Sequence, residues 1–276
     1  MMNFLSEQRY RQDVGSKEGR SAAQGRAARP EAMASTPPPP LAHDIALFHD
    51  LDGSLLDLAQ RPDDVVVAPH LPGLLEALRH RLGGALAIVT GRQIQTVDRL
   101  LFPLQLPAAG LHGAELRRAG AATETRPAAT DGLADALRRY FGDDPNILIE
   151  DKGMAVAVHY RLAPERAAEC EAVASALASA MGLAATKGKM VIEVLPPQAN
   201  KGYAVQSLME QAPFAGRKPV FVGDDLTDEN GILVAQAMGG YGVKVGAGPS
   251  AARYRLGSVL AVHRWLAAGA GLRNFV

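Results

Sequence analysis

Apolar residues are unevenly spread along the chain. Between Gly15 and Pro40 there is no Ile, Leu, Val, Phe, Tyr or Trp, and the stretch closes on four consecutive prolines. Such a segment cannot bury enough apolar area to offset its ordering entropy, which predicts a disordered tail over residues 1–42. From Ile45 the pattern changes. Ile45–Phe48 is a short apolar run followed by polar residues, as in a buried parallel strand. Leu71, Leu74, Leu75, Leu78 and Leu82 recur at helical spacing. Ala85–Val89 is a second apolar run, and a helix is expected after it to about Leu101. Strand, helix, strand, helix predicts a βαβ unit and a parallel sheet.

The middle third has another rhythm. Asn146–Lys152 and Met154–Tyr160 predict two strands around a turn, then an alanine-rich helix over Pro164–Met181 and a strand over Met190–Leu195. This describes a small α+β insert over residues 118–199. The α/β pattern then resumes, with a helix over Asn200–Ala212, strands at Pro219–Val222 and Gly242–Val245, and a final helix over Val259–Ala267. The expected core is therefore discontinuous, over residues 43–117 and 200–276.

Composition narrows the class without naming a chemistry. At 276 residues and 47% apolar, the chain can bury a core and is no disordered or fibrous protein. Its formal net charge of zero argues against a protein-wide field for nucleic acid or an anionic membrane. The single cysteine, Cys170, excludes an internal disulfide and suits a reducing compartment. No apolar run approaches the roughly 18–20 residues of a membrane span. The expectation is a cytoplasmic protein, a monomer or weak oligomer, with neither nucleic acid nor membrane as partner.

In open α/β sheets, ligands bind at the carboxyl ends of the strands. Three predicted strand ends are polar together: His49-Asp50-Leu51-Asp52-Gly53-Ser54, Thr90-Gly91-Arg92 and Gly223-Asp224-Asp225-Leu226-Thr227-Asp228. Gathering carboxylates in one crevice is costly unless a cation compensates them, and Mg2+ with oxygen ligands is the simplest candidate. A calcium loop of EF-hand type is excluded, because its sixth and twelfth positions would be Leu55 and Arg61. A metal beside carboxylates and a lysine makes an anion site suited to a phosphoryl group.

These segments resemble the motifs of the haloacid dehalogenase superfamily. Asp50-Leu51-Asp52-Gly53-Ser54 resembles its first motif, Thr90 its second, Lys201 its third, and Asp224 with Asp228 its fourth. The resemblance implies a Rossmann-like α/β core with an inserted α+β cap of C2B type. It also implies one Mg2+ at Asp50, the Asp52 carbonyl and Asp224, supported by Asp228. Asp50 would be the nucleophile and Asp52 the acid and base. Lys201 would neutralise the phosphate, with Ser54, Thr90, Gly91 and Arg92 around it.

Further segments resemble the trehalose-6-phosphate phosphatase branch of that superfamily. They are Leu111-His112-Gly113-Ala114-Glu115, Glu150-Asp151-Lys152-Gly153, His159-Tyr160-Arg161, Val191–Pro196 and Asn200-Lys201-Gly202. The implied substrate is a sugar phosphate, trehalose 6-phosphate. The implied cap contacts are Glu150, Lys152 and Glu193, with Arg161, Glu115 and Asn200 in support. Carboxylates accepting from sugar hydroxyls, beside a donating ammonium, suit that task. Another sugar-phosphate phosphatase or a phosphosugar mutase of the same capped group is the alternative. The motifs give His49, beside the nucleophile, no role.

Overall fold

The computed structural model describes residues 36–125, 130–142 and 144–272. Strand β1 (Ile45–His49) lies in the interior of an eight-stranded sheet. It is followed by α1 (Leu71–Arg81), β2 (Leu86–Val89), α2 (Ile94–Leu100), β3 (Ala108–Gly110), β4 (Glu115–Arg117) and β5 (Thr123–Thr125). The insert holds α3 (Leu133–Phe141), β6 (Leu148–Asp151), β7 (Val156–His159), α4 (Ala167–Ala180), β8 (Ala184–Gly188) and β9 (Val191–Leu195). The chain then returns through α5 (Lys201–Met209), β10 (Lys218–Gly223), α6 (Asp228–Ala237), β11 (Tyr241–Val245), β12 (Tyr254–Leu256) and α7 (Val259–Ala270).

The main sheet runs β12-β11-β10-β1-β2-β3-β4-β5, parallel from β12 to β3 and antiparallel thereafter. Every residue of β1 and β2 is buried, so Ile45–Phe48 and Leu86–Val89 read as unbroken apolar runs rather than as alternations. One sheet face packs Leu47, Ile88 and Val222 on Leu74 and Leu78 of α1 and Val262 and Leu266 of α7. The other packs Phe48 and Phe221 on Val205 and Leu208 of α5 and Ile232 of α6. The insert has its own antiparallel sheet, β6-β7-β9-β8. Its separate core joins Leu137 and Phe141 of α3, Val156, Val158, Ile192 and Val194 of the strands, and Cys170 and Ala174 of α4.

Two boundaries differ from the sequence expectation. Residues 36–42, placed by composition in the disordered tail, form a strap on the core. Arg255 N–H donates to the Thr36 carbonyl at 3.0 Å and Trp265 Nε1–H to the Pro39 carbonyl at 2.9 Å. Leu41 is 4% exposed and sits where a side chain on Gly269 would otherwise project. Proline-rich chain is extended and has free carbonyls, which suits it to this task. The rest of that tail, residues 1–35, lies outside the described residues. The insert also begins later than residue 118. Residues 123–125 form β5, which pairs with β4 and extends the core sheet. All three side chains of β5 are exposed, so no apolar signal marked it. Among the described residues, no helix is long and apolar enough to cross a membrane.

Candidate active site

β10, β1 and β2 are adjacent in the sheet, so their carboxyl ends deliver Asp224, Asp50 and Thr90 side by side. Asp50 N–H donates to the Val222 carbonyl at 2.9 Å, carrying the β1–β10 ladder one residue further. Lys201 opens α5, with Asn200 as its cap, and Asp228 opens α6. Lys201 Nζ lies 2.6 Å from Asp50 Oδ1 and 2.7 Å from Asp228 Oδ1, and all three side chains are buried. Asp228 Oδ2 accepts the N–H groups of Asp224 at 2.9 Å and Asp225 at 3.0 Å, which holds the loop after β10 in place. Gly53 is at φ +80, and a Cβ there would overlap the Asp224 carboxylate. Glycine at this point is what lets the loop after β1 meet the loop after β10.

Burial pushes the Asp50 carboxyl well above its ordinary range; the charges of Asp228 and Asp224 add to this, and Lys201 opposes it. Burial pushes Asp228 up to about 6 against the pull of Lys201. Asp224 is raised by burial and by Asp225. For Lys201, burial acts to lower the pKa, but Asp228 and Asp50 overcome it and hold the ammonium well above its ordinary range. One buried cation thus faces several carboxylates.

Asp50, Asp224 and Asp228 each place a carboxylate oxygen within 4.8 Å of the others. Both oxygens of Asp228 already have partners. Asp50 Oδ2 and Asp224 Oδ1 have none among the side-chain bonds of this cluster, and both are hard oxygen donors. The donor set fits a divalent metal ion, with Asp228 supporting the loop rather than offering a free oxygen. The Asp52 side chain is paired outside this cluster. Arg92 Nε donates to Asp52 Oδ2 at 2.6 Å and Nη2 to Oδ1 at 2.8 Å. Thr90 Oγ1 accepts from Arg92 N–H at 3.2 Å.

The insert covers the same cleft. Lys152 Nζ donates to Glu193 Oε1 at 2.7 Å and to the Gly91 carbonyl at 3.0 Å, and lies 3.8 Å from Glu150 Oε2. The second Glu193 oxygen meets His112 Nε2. Glu150 also pairs with His159 Nε2 at 2.9 Å. Arg161 donates to the Ala59 carbonyl. The cleft lining includes Asp50, Asp52, Thr90, Gly91, Arg92, Glu150, Lys152, Arg161, Glu193, Lys201 and Asp224.

Three expected contacts are not brought to this cleft. Ser54 is fully buried with no hydrogen-bond partner for its hydroxyl and does not line it. The carbonyl of the Asn200 side chain accepts from Tyr203 N–H at 2.8 Å, the ordinary task of a helix cap. Glu115 likewise accepts from Ile94 N–H at 2.6 Å at the start of α2, which directs its carboxylate into the fold. Conversely, sequence reasoning assigned nothing to three basic side chains at the site. Lys189, in the turn before β9, reaches across to Asp224 Oδ2 at 3.3 Å. Lys244 of β11 donates to the Asp224 carbonyl. His112 meets Glu193, and only its place in the Leu111–Glu115 motif could have marked it.

A parallel sheet with these four polar clusters at its carboxyl edge, and an α+β cap inserted after the second, defines a phosphohydrolase of the haloacid dehalogenase superfamily. Comparison with known proteins narrows this. The family model for trehalose-phosphatase matches residues 48–259, and the chain belongs to that family. A probable trehalose-phosphate phosphatase of Sinorhizobium fredii is 46% identical over 220 residues, covering 78% of this chain and 82% of the relative. The trehalose-6-phosphate phosphatase of Escherichia coli is 38% identical over 235 residues, covering 84% and 88%. The solved C-terminal domain of the C. albicans trehalose-6-phosphate phosphatase shares the fold at TM-score 0.75 and 23% identity, over 83% of this chain and 93% of that one.

Proposed function

We propose that this chain hydrolyses trehalose 6-phosphate to trehalose and inorganic phosphate through an aspartyl-phosphate on Asp50. The reading rests on one observation: Asp50, Lys201 and Asp224, backed by the buried Asp228, lie in one cleft with Glu150, Lys152 and Glu193 of the cap. The first group suits a phosphoryl group and the second a polyhydroxylated leaving group.

Asp50 and Asp224 would hold Mg2+, with the Asp52 carbonyl, and the ion would supply charge neutralisation for the transferring phosphoryl group. Lys201, fixed between Asp50 and Asp228, opposes the upward push of burial on Asp50 and, together with the metal, would favour its ionised form. Asp50 attacks phosphorus and the sugar oxygen leaves, which divides one difficult displacement into two easier ones. Asp52 gives that oxygen a proton, then removes one from the water that attacks the acyl phosphate. In the structure Asp52 is held by Arg92, so the acid–base step begins with release of that pair; the incoming phosphate dianion is the competing partner for the guanidinium. Thr90 and the backbone amides after Asp52 donate to phosphate oxygens. The cap residues Glu150, Lys152 and Glu193 bind the sugar remote from phosphorus, with Arg161 at the cleft wall.

Phosphate release from trehalose 6-phosphate, glucose 6-phosphate and sucrose 6-phosphate tests this directly, with Mg2+ and without any bisphosphate activator. Trehalose 6-phosphate should be hydrolysed far faster than the others, and chelation should abolish turnover. Equal rates on all three would refute the substrate assignment, and a requirement for activator would favour a mutase.

A further inference from the structure

His112 carries a side chain and a backbone that the chemistry above does not use. Leu111 and His112 sit at φ 46 and φ 56, in the left-handed region that leucine in particular avoids. Such strain persists only where surrounding bonds impose it. Here His112 N–H donates to the Thr90 carbonyl at 2.9 Å and Leu111 N–H to the Arg92 carbonyl at 3.0 Å. The turn is therefore stitched to the loop that presents Thr90.

From that strained turn the imidazole crosses to the cap. His112 Nε2–H donates to Glu193 Oε2, while Glu193 Oε1 accepts from Lys152 Nζ at 2.7 Å. Lys152 Nζ also donates to the Gly91 carbonyl at 3.0 Å, which returns the chain of bonds to the core. The result is a ring with two core ends, His112 and Gly91, and two cap members, Glu193 and Lys152. His112, Glu193 and Lys152 are 5%, 6% and 8% exposed, so water does not compete strongly for these bonds. Space was kept for the ring as well. A Cβ at residue 91 would lie 2.7 Å from His112 Nε2 and 3.1 Å from Glu193 Oε2.

We propose that His112 is a positioning residue that latches the cap onto the core, fixing Glu193 and, through it, the Lys152 ammonium at the sugar end of the cleft. It touches none of Asp50, Asp52, Asp224 or Lys201 in this bond network, so it governs recognition of a large hydroxylated leaving group and leaves phosphoryl chemistry alone. Only the kinetic arm of its test rests on the phosphatase reading.

The test uses the full chain and compares His112→Ala with His112→Gln, whose amide N–H restores a donor towards Glu193. Removing one partner of a buried charged hydrogen bond should raise KM for trehalose 6-phosphate at least about tenfold. Turnover of p-nitrophenyl phosphate should stay within about twofold, and His112→Gln should recover most of the loss. Without substrate, amide hydrogen exchange in His112→Ala should quicken at residues 152–154 and 191–193 but not in the cap interior at β7. A uniform quickening that includes β7, or equal losses on both esters, would overturn the latch and leave a folding role. Wild-type exchange at the seam in His112→Ala would overturn it too. Failure of the wild-type chain to hydrolyse trehalose 6-phosphate would instead overturn the proposed substrate, and the exchange arm would still decide the latch.

Discussion

His49 provides a prediction whose size follows from its surroundings. The imidazole is completely buried at the end of the central strand. Its Nδ1 lies 2.6 Å from the Asp50 carbonyl, as an N–H donor, and its Nε2 has no hydrogen-bond partner. Burial is the main influence on its pKa; the Asp50 bond opposes it, and the charges of His263 and Lys201 add to it, bringing the pKa from 6.5 down to about 3. A proton is therefore taken up by the unfolded chain at mildly acid pH but refused by the folded one. The stability from keeping His49 neutral is complete above pH 6.5 and is lost as pH falls towards 3. Between pH 8 and pH 5 the linkage amounts to about 2 kcal/mol, or a fall in melting temperature of roughly 5 °C for a domain of this size. Asp228 acts in the opposite sense: its carboxyl, raised from 3.8 to about 6, gains stability as pH falls through that window. The measurement is therefore a difference. Thermal unfolding of the wild type and of His49→Asn, which keeps a donor and does not titrate, should be followed across this range. The two curves should converge by about 2 kcal/mol towards pH 5. Parallel curves would refute the reasoning, because a burial that does not exclude the proton cannot be what sets the imidazole's state.

Two further outcomes follow from close contacts. Gly53→Ala places a Cβ in the Asp224 carboxylate at a positive φ, so Asp224 must move; turnover should fall at least about 100-fold and the Mg2+ concentration for half-activation should rise, whereas an unchanged Mg2+ titration would show that Asp224 is not a ligand. Leu41→Ala should lower stability by about 2–4 kcal/mol in denaturant titration without altering turnover at 25 °C, and a cost below about 0.5 kcal/mol would mean that the strap over α7 contributes nothing.

The core strands and the polar ends after them were legible because fully buried parallel strands are unbroken apolar runs and the residues just beyond them sit at the binding edge. Asp50, Thr90, Asp224 and Asp228 follow such strands, whereas Lys201 opens α5 and was marked by its place in the Asn200-Lys201-Gly202 motif. Elements without that signature were not legible. β5 is three exposed residues, β8 is Ala-Ala-Thr-Lys-Gly, and β12 is three half-buried residues; each exists because a neighbouring strand offers an edge. Partnership was equally hidden. Nothing local distinguishes Asn200, which caps a helix, from Lys201 beside it, which bridges two carboxylates. Arg92 looks like a phosphate ligand from its place after Thr90, yet in the fold its guanidinium grips Asp52, 40 positions away. Composition misjudged residues 36–42 because it weighs side chains, and the strap is held largely by backbone carbonyls.

The cap has its own apolar core, separate from those that flank the main sheet. The joint between them is a small cluster of Leu111, Ala114, Ala155, Leu195 and Ala199. A unit of this kind can open or lose structure as a subglobal event, below the free energy needed to unfold the whole. The residues that would read the sugar belong to the cap, and those that would break the phosphate ester belong to the larger core. As temperature rises, discrimination between esters would therefore fail before the ability to cleave them. The fidelity of the enzyme, rather than its rate, would set its upper working temperature.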